Sequence, residues 1–216
     1  MRFDAVLFDL DGTLLDTLRD IAESMNAALE SLGAPAVAIE DYRRHIGDGV
    51  TLLAGRVLPA GRRDQETVGR CVAAMRDLYS ARLVRWSRPY PGIPGLLDAL
   101  AAAGVAMAVL SNKPHALTIS LTAQLLERWH FAAVFGERQG VPRKPDPQAA
   151  LEVAGLMRVV PGRVLYLGDT GTDMQTAKRA GMFAAGALWG FRDLTELEAA
   201  GADALVSEPG QVLDLL

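Results

Sequence analysis

Apolar and polar positions along the chain follow two rhythms. Residues 5–8 (Ala-Val-Leu-Phe), 105–110, 132–135 and 164–167 are short apolar runs without polar alternation. Such runs predict strands buried on both faces of a parallel sheet. Residues 183–188 and 204–206 continue the series. Between the runs, apolar residues recur at helical spacing. Leu96, Leu97, Leu100 and Ala101 stop at Gly104, and Leu117, Leu121 and Leu125 carry the pattern on to Trp129. Ala149, Ala150 and Val153 form a third group, and Met174, Ala177 and Lys178 stop at Gly181. The alternation predicts an α/β fold with a doubly wound, Rossmann-like parallel sheet.

Residues 17–83 break that alternation. Leu18, Ile21, Ala22, Met25, Leu29 and Leu32 keep helical spacing up to Gly33, and Val68, Cys71, Val72, Met75 and Tyr79 repeat it. Shorter helical pieces over 39–46 and 50–57 flank Gly47-Asp48-Gly49. The segment is therefore an all-helical insertion, and the remaining residues, 1–16 and 84–216, form the sheet-bearing core. The Pro/Gly-rich stretch from Pro89 to Pro94 marks the return of the chain.

Composition narrows the function classes. Half of the 216 residues are apolar and 22% are charged, with a net charge of −4, which fits a packed globular protein and offers no general attraction for nucleic acid or an anionic membrane. Asp4, Asp9 and Asp11 follow the start too closely for a signal-peptide core, and no apolar stretch is long enough for a membrane span. Cys71 is the single cysteine, so no internal disulfide or thiolate metal cluster can form, and a cytoplasmic setting is expected. Its apolar helical neighbours make it a small core hydrophobe. His115 and His130 lack the spacing of a metal site or triad.

Three predicted strands end in polar groups: Asp9-Leu10-Asp11-Gly12-Thr13, Ser111-Asn112-Lys113, and Gly168-Asp169 followed by Asp173. Ligands of open parallel sheets bind beyond the carboxyl ends of strands, so neighbouring strands would gather these groups in one crevice. Carboxylates, a hydroxyl and an amine in one place suit phosphate with a hard cation, and oxygen-only ligands favour Mg²⁺. Each element alone has a plainer reading. Asp11-Gly12 can be a turn, Ser111-Asn112 a helix cap, Asp169 and Asp173 acids at a helix start, and Lys144 a solvated loop residue. Trp189-Gly190-Phe191 reads as aromatic packing against the sheet edge.

Taken together, Asp9-x-Asp11-Gly12-Thr13, Ser111, Lys144-Pro145 and Gly168-Asp169-x-x-x-Asp173 resemble, in order, the four motifs of the haloacid dehalogenase-like hydrolases, over essentially the whole chain. The resemblance implies Asp9 as nucleophile and Asp11 as general acid and base. It implies Mg²⁺ held by Asp9, Asp169 and the Asp11 carbonyl. Thr13, Ser111, Asn112 and Lys144 would contact the phosphoryl group, and Asp173 would orient Lys144 or a metal-bound water. The insertion is similar to the small helical cap of phosphoglycolate phosphatase-like members. There, a loop resembling the one from Arg43 and Arg44 to Gly47 and Gly49 touches the leaving group. The expected partner is a small phosphorylated metabolite, with monomer and homodimer both open. Dehalogenation is disfavoured by Asp11. Pyrophosphatase and sugar-phosphate phosphatase or mutase activities share the core motifs, a receiver-type signalling module is the alternative of another class, and a catalytically dead binding protein would require a missing motif residue.

Overall fold

The computed structural model describes residues 2–81 and 84–216, so Leu83, where the sequence reading ends the insertion, lies outside the described residues. Strand β1 (Ala5–Phe8) leads through the short β2 (Leu15–Asp16) into helices α1 (Leu18–Ser31), α2 (Val50–Val57) and α3 (Gln65–Ala81). The chain returns through β3 (Arg88–Pro89) to α4 (Ile93–Ala102), β4 (Ala106–Pro114), α5 (His115–Leu125) and β5 (Val134–Glu137). It continues as α6 (Gln148–Met157), β6 (Val164–Gly168), α7 (Gly171–Ala180), β7 (Phe183–Ala187), α8 (Leu194–Ala199) and β8 (Ala204–Val206). Six strands pair in parallel in the order β5-β4-β1-β6-β7-β8. The chain winds outward from β1 in one direction and then in the other, which leaves a switch point between β1 and β6.

Strand period explains why both faces of the sheet are dry. Val6, Phe8, Met107, Val109, Leu165 and Leu167 lie on one face, covered by α4 and α5 in a cluster that continues into α1, α2 and α3. The intervening Ala5, Leu7, Ala108, Leu110, Val164 and Tyr166 pack with α6 to α8 on the other. Each fully buried large apolar side chain contributes about 1.5–3 kcal/mol, so a slip by one residue would exchange two complete apolar sets.

The structure departs locally from the sequence pattern at three places. The helix expected to run to Trp129 ends at Leu125, because Leu126 leaves helical geometry (φ −130°) and Asp98 holds both Trp129 Nε1 (2.8 Å) and Arg128 (2.9 Å). Strand β4 continues past Leu110 through Ser111, Asn112 and Lys113, with its register to β5 shifted, and the cap position of α5 is Pro114. Ser111 and Asn112 therefore cap no helix. The piece expected over 39–46 is a 3₁₀ helix at Ile39–Arg44.

The two passages between sheet and insertion run side by side, Leu15 opposite Pro89 and Asp16 opposite Arg88, with Tyr90 N–H donating to the Leu14 carbonyl (3.1 Å). Among the described residues no helix is long and apolar enough to cross a membrane.

Asp20 on α1, only 3% exposed, secures the returning segment. It accepts from the backbone of Trp86 (3.0 Å) and Ser87 (2.7 Å) and from Ser87 Oγ (2.6 Å). Asp20→Ala strands these donors, and the expected loss is about 1–3 kcal/mol in urea denaturation. An unchanged midpoint would show that the clamp contributes nothing to stability.

Candidate active site

Asp9 directly follows β1, and its N–H donates to the Leu167 carbonyl of β6 (2.9 Å). The chain then turns sharply, with the N–H groups of Leu14 and Leu15 both directed at the Leu10 carbonyl. Gly12 makes this possible: its φ is +92°, and a Cβ there would collide with the Asp169 carboxylate and stand 2.8 Å from the Phe191 ring. The turn brings Thr13 Oγ1 to Asp169 Oδ1 (2.9 Å), while Phe191 N–H donates to Asp169 Oδ2 (2.7 Å). Asp169 follows the end of β6. Four residues later, Asp173 exchanges hydrogen bonds with Thr170 in a capping box at the start of α7.

Lys144 ties these acids together. Its Nζ lies 2.7 Å from Asp9 Oδ1, 2.7 Å from Asp173 Oδ1 and 3.2 Å from the Leu110 carbonyl. Burial lowers its pKa, but Asp173 and Asp9 outweigh burial and hold the ammonium well above its ordinary value. Asn112 fixes the Lys144 backbone, accepting from its N–H (3.0 Å) and donating to its carbonyl (3.2 Å). Burial pushes Asp9 up to about 7, with Lys144 opposing and Asp173 reinforcing the shift. Burial, then Asp9 and Asp173, raise Asp169 in the same direction. Carboxylate oxygens of Asp9, Asp169 and Asp173 lie within 4.8 Å of one another. Both Asp173 oxygens are already bonded to Lys144, Tyr166 and Thr170, so Asp9 and Asp169 are the better cation ligands.

A cleft opens beside Asp9, lined by Asp11, Ser111, Asn112 and Lys113 from the sheet side and by helices of the insertion. Lys113, to which the sequence reading gives no role, places its Nζ 3.1 and 3.0 Å from the two Asp11 oxygens, and Thr17 Oγ1 adds a 2.7 Å bond to Asp11. Burial depresses the Lys113 pKa, yet Asp11 and Tyr79 more than reverse this and the net shift is upward. Its place in the strand-end triplet Ser-Asn-Lys is the only sequence signal for it. The Trp189-Gly190-Phe191 loop does more than pack: Trp189 Nε1 donates to the Thr13 carbonyl (3.0 Å), and Phe191 holds Asp169.

The insertion loop divides its candidates. Gly47 and Gly49 line the cleft with φ of +125° and +92°, and Asn112 Nδ2 donates to the Gly47 carbonyl (3.1 Å). Asp48 Oδ1 accepts from Thr172 (2.8 Å), and Arg192 donates to the carbonyls of Arg43 and Ile46. Arg43 is directed at the Gly190 carbonyl (3.0 Å). Arg44 pairs with Asp41 (2.5 Å) and is otherwise in solvent.

Residues 3–181 match the haloacid dehalogenase-like hydrolase family. A phosphoglycolate phosphatase of Aquifex aeolicus (strain VF5) is 33% identical over 211 residues, covering 98% of this chain and 95% of that protein. One from Mesorhizobium japonicum is 34% identical over 190 residues, covering 87% and 84% respectively. A crystal structure from Lactobacillus delbrueckii subsp. bulgaricus, 29% identical, superposes with a TM-score of 0.93 and covers 100% of this chain and 98% of that one.

Gly190 tests whether Asp169 needs its observed place, because a Cβ there would collide with the Asp169 side chain and the Gly12 carbonyl. Gly190→Ala should lower kcat/KM at least about tenfold, or ~1.4 kcal/mol, while circular dichroism stays unchanged. Full activity would mean that the carboxylate tolerates displacement.

Proposed function

Since the chain belongs to the haloacid dehalogenase-like hydrolases and is a phosphatase, we propose that it hydrolyses a small phosphate monoester, phosphoglycolate, with Mg²⁺ and through an aspartyl-phosphate on Asp9. The observation that carries this reading is the Lys144 ammonium bridging Asp9 and Asp173 beside Asp169, at the edge of a cleft shared with Asp11 and Ser111. The names of the relatives point to the substrate.

In the proposed reaction an Asp9 carboxylate oxygen bonds to phosphorus as the bond to the glycolate oxygen breaks. Asp11 gives that oxygen a proton, then takes one from the water that attacks the acyl-phosphate and releases inorganic phosphate. Lys113 and Thr17 position Asp11 for both steps. Lys144 and Ser111 face the phosphoryl oxygens, and Asn112 keeps Lys144 in place. The clustered oxygen donors of Asp9 and Asp169, together with the Asp11 carbonyl that the family resemblance implies, would hold Mg²⁺, which when bound would offset the crowded negative charge and that of the transferring phosphoryl group.

The two acids of the first motif should separate kinetically. Asp9→Asn should abolish turnover of every substrate, since an amide is a poor nucleophile. Asp11→Asn should release p-nitrophenol from p-nitrophenyl phosphate in a burst of roughly one equivalent, then turn over slowly, because nitrophenolate leaves without a proton while hydrolysis of the intermediate lacks its base. Rapid-quench kinetics would show this. A phosphoryl label on Asp11, or steady turnover by Asp9→Asn, would overturn the mechanism. A tenfold preference for pyrophosphate or a hexose phosphate, ~1.4 kcal/mol, would displace phosphoglycolate.

The raised Asp9 carboxyl sets a pH dependence. Between its ordinary value of 3.8 and about 7, the folded metal-free protein holds a proton that the unfolded chain has released. That contribution to stability therefore fades as pH rises through the window. A bound cation takes the proton's place, so Mg²⁺ should raise Tm more at about pH 8 than at about pH 5, with the difference reduced in Asp9→Asn. Equal gains at both pH values would contradict this.

A further inference from the structure

The insertion side of the cleft is mostly hydrocarbon. Ile46, Val50, Leu53 and Met75 form it, and the side-chain polar groups it offers are those of Arg76 and Tyr79. These two lie three residues apart on α3 and therefore on one face of the helix. Tyr79 is fully buried, and although Lys113 Nζ stands 4.4 Å from its ring centroid, that ammonium is hydrogen-bonded to Asp11 and the Tyr79 hydroxyl makes no hydrogen bond. A buried hydroxyl left unpaired is destabilising by about 1–3 kcal/mol, which calls for an occupant of the cleft to meet it. Among the described residues Arg76, exposed at the cleft, makes no ion pair or hydrogen bond; Arg70 makes none either but does not line the cleft, whereas Arg43, Arg44, Arg56, Arg62 and Arg63 of the same insertion are each committed to carboxylates or backbone carbonyls. A free guanidinium fork and an unmet hydroxyl thus stand in one apolar wall, facing the residues that surround the nucleophile.

We propose that Arg76 and Tyr79 form the receptor for a carboxylate carried by the leaving group, and so determine which phosphate monoester is accepted. The proposal rests on the phosphatase reading and deepens it. The Arg76 fork matches the two oxygens of a planar carboxylate, and Tyr79 Oη–H supplies a further donor. One positive charge and one neutral donor match a singly charged carboxylate, whereas a second phosphoryl group carries more charge than this wall neutralises. The surrounding apolar groups give a polyhydroxy sugar little to hydrogen-bond. A short acid with its phosphate at Asp9 and its carboxylate toward α3 satisfies both ends. The Arg43–Gly49 loop then closes the site by its contacts to Asn112, Thr172 and Gly190 without reading the leaving group through Arg43 or Arg44.

The test measures kcat/KM for phosphoglycolate, 3-phosphoglycerate and ethyl phosphate, the last lacking a carboxylate, in the wild type, Arg76→Gln, Arg76→Lys and Tyr79→Phe, all with Mg²⁺. The phosphoglycolate to ethyl phosphate ratio should fall about 10- to 100-fold in Arg76→Gln and about three- to tenfold in Tyr79→Phe, mainly through KM. Arg76→Lys should recover part of the ratio. A wild-type preference for phosphoglycolate that survives in Arg76→Gln would overturn the receptor and leave the proposed substrate standing. A wild-type preference for 3-phosphoglycerate that Arg76→Gln removes would support the receptor and displace phosphoglycolate. Equal use of all three esters by the wild type would overturn both.

Discussion

A single buried ammonium decides the character of this site. Lys144 lies between Asp9 and Asp173, with Asp169 close by, and all four side chains are almost wholly withdrawn from water. Carboxylates whose oxygens lie within 4.8 Å of one another repel by about 3 kcal/mol or more at an effective dielectric constant of ~20, more than a typical hydrogen bond returns. One ammonium cannot neutralise three carboxylates, so the cluster either keeps protons, as the raised Asp9 and Asp169 indicate, or takes a cation. The surrounding hydrogen bonds serve this cluster. Asn112 holds Lys144 by both backbone groups, Thr13 and Phe191 hold Asp169, and Thr170 and Tyr166 hold Asp173. The sheet order makes this meeting possible, since Asp9 and Asp169 follow adjacent strands at the switch point.

Much of this was legible in the sequence for one reason: apolar runs that stop at a carboxylate or hydroxyl mark both a strand and the direction of its carboxyl end. Asp9, Ser111 and Asp169 announce themselves that way. Lys144 does not, because it sits in a Pro-rich loop whose local pattern fits a solvated lysine, and only the motif resemblance singled it out. Lys113 was visible as part of a polar triplet, but its pairing with Asp11 depends on β4 running on past Leu110, which an apolar-run reading does not show. Periodicity also misleads where a side chain captures the next turn. Leu117, Leu121, Leu125 and Trp129 keep helical spacing, yet Asp98, distant in sequence, draws Trp129 and Arg128 out of the helix. Tyr79 obeys the core pattern, and its burial agrees with it, but no one-dimensional pattern reveals that its hydroxyl lacks a partner.

The contacts that bring the insertion loop against the sheet are of a different kind from those inside each part. Asn112 to the Gly47 carbonyl, Thr172 to Asp48, and Arg192 to the Arg43 and Ile46 carbonyls are polar bonds that water can replace. Apolar Ile46 and Val50 stand beside these bonds and line the cleft, whereas α1 is held within the insertion by its packing against α3.

Both passages to the insertion run through the paired residues Leu15–Pro89 and Asp16–Arg88, so the segment leaves and rejoins the sheet at nearly the same point. An inserted segment whose ends meet imposes no span on its host. The helices between β2 and β3 can therefore lengthen, shorten or be exchanged over evolutionary time without moving Asp9, Lys144 or Asp169. The acidic cluster and the helical wall of the cleft are thus encoded on separable stretches of one gene, and selection can revise the second while leaving the first untouched.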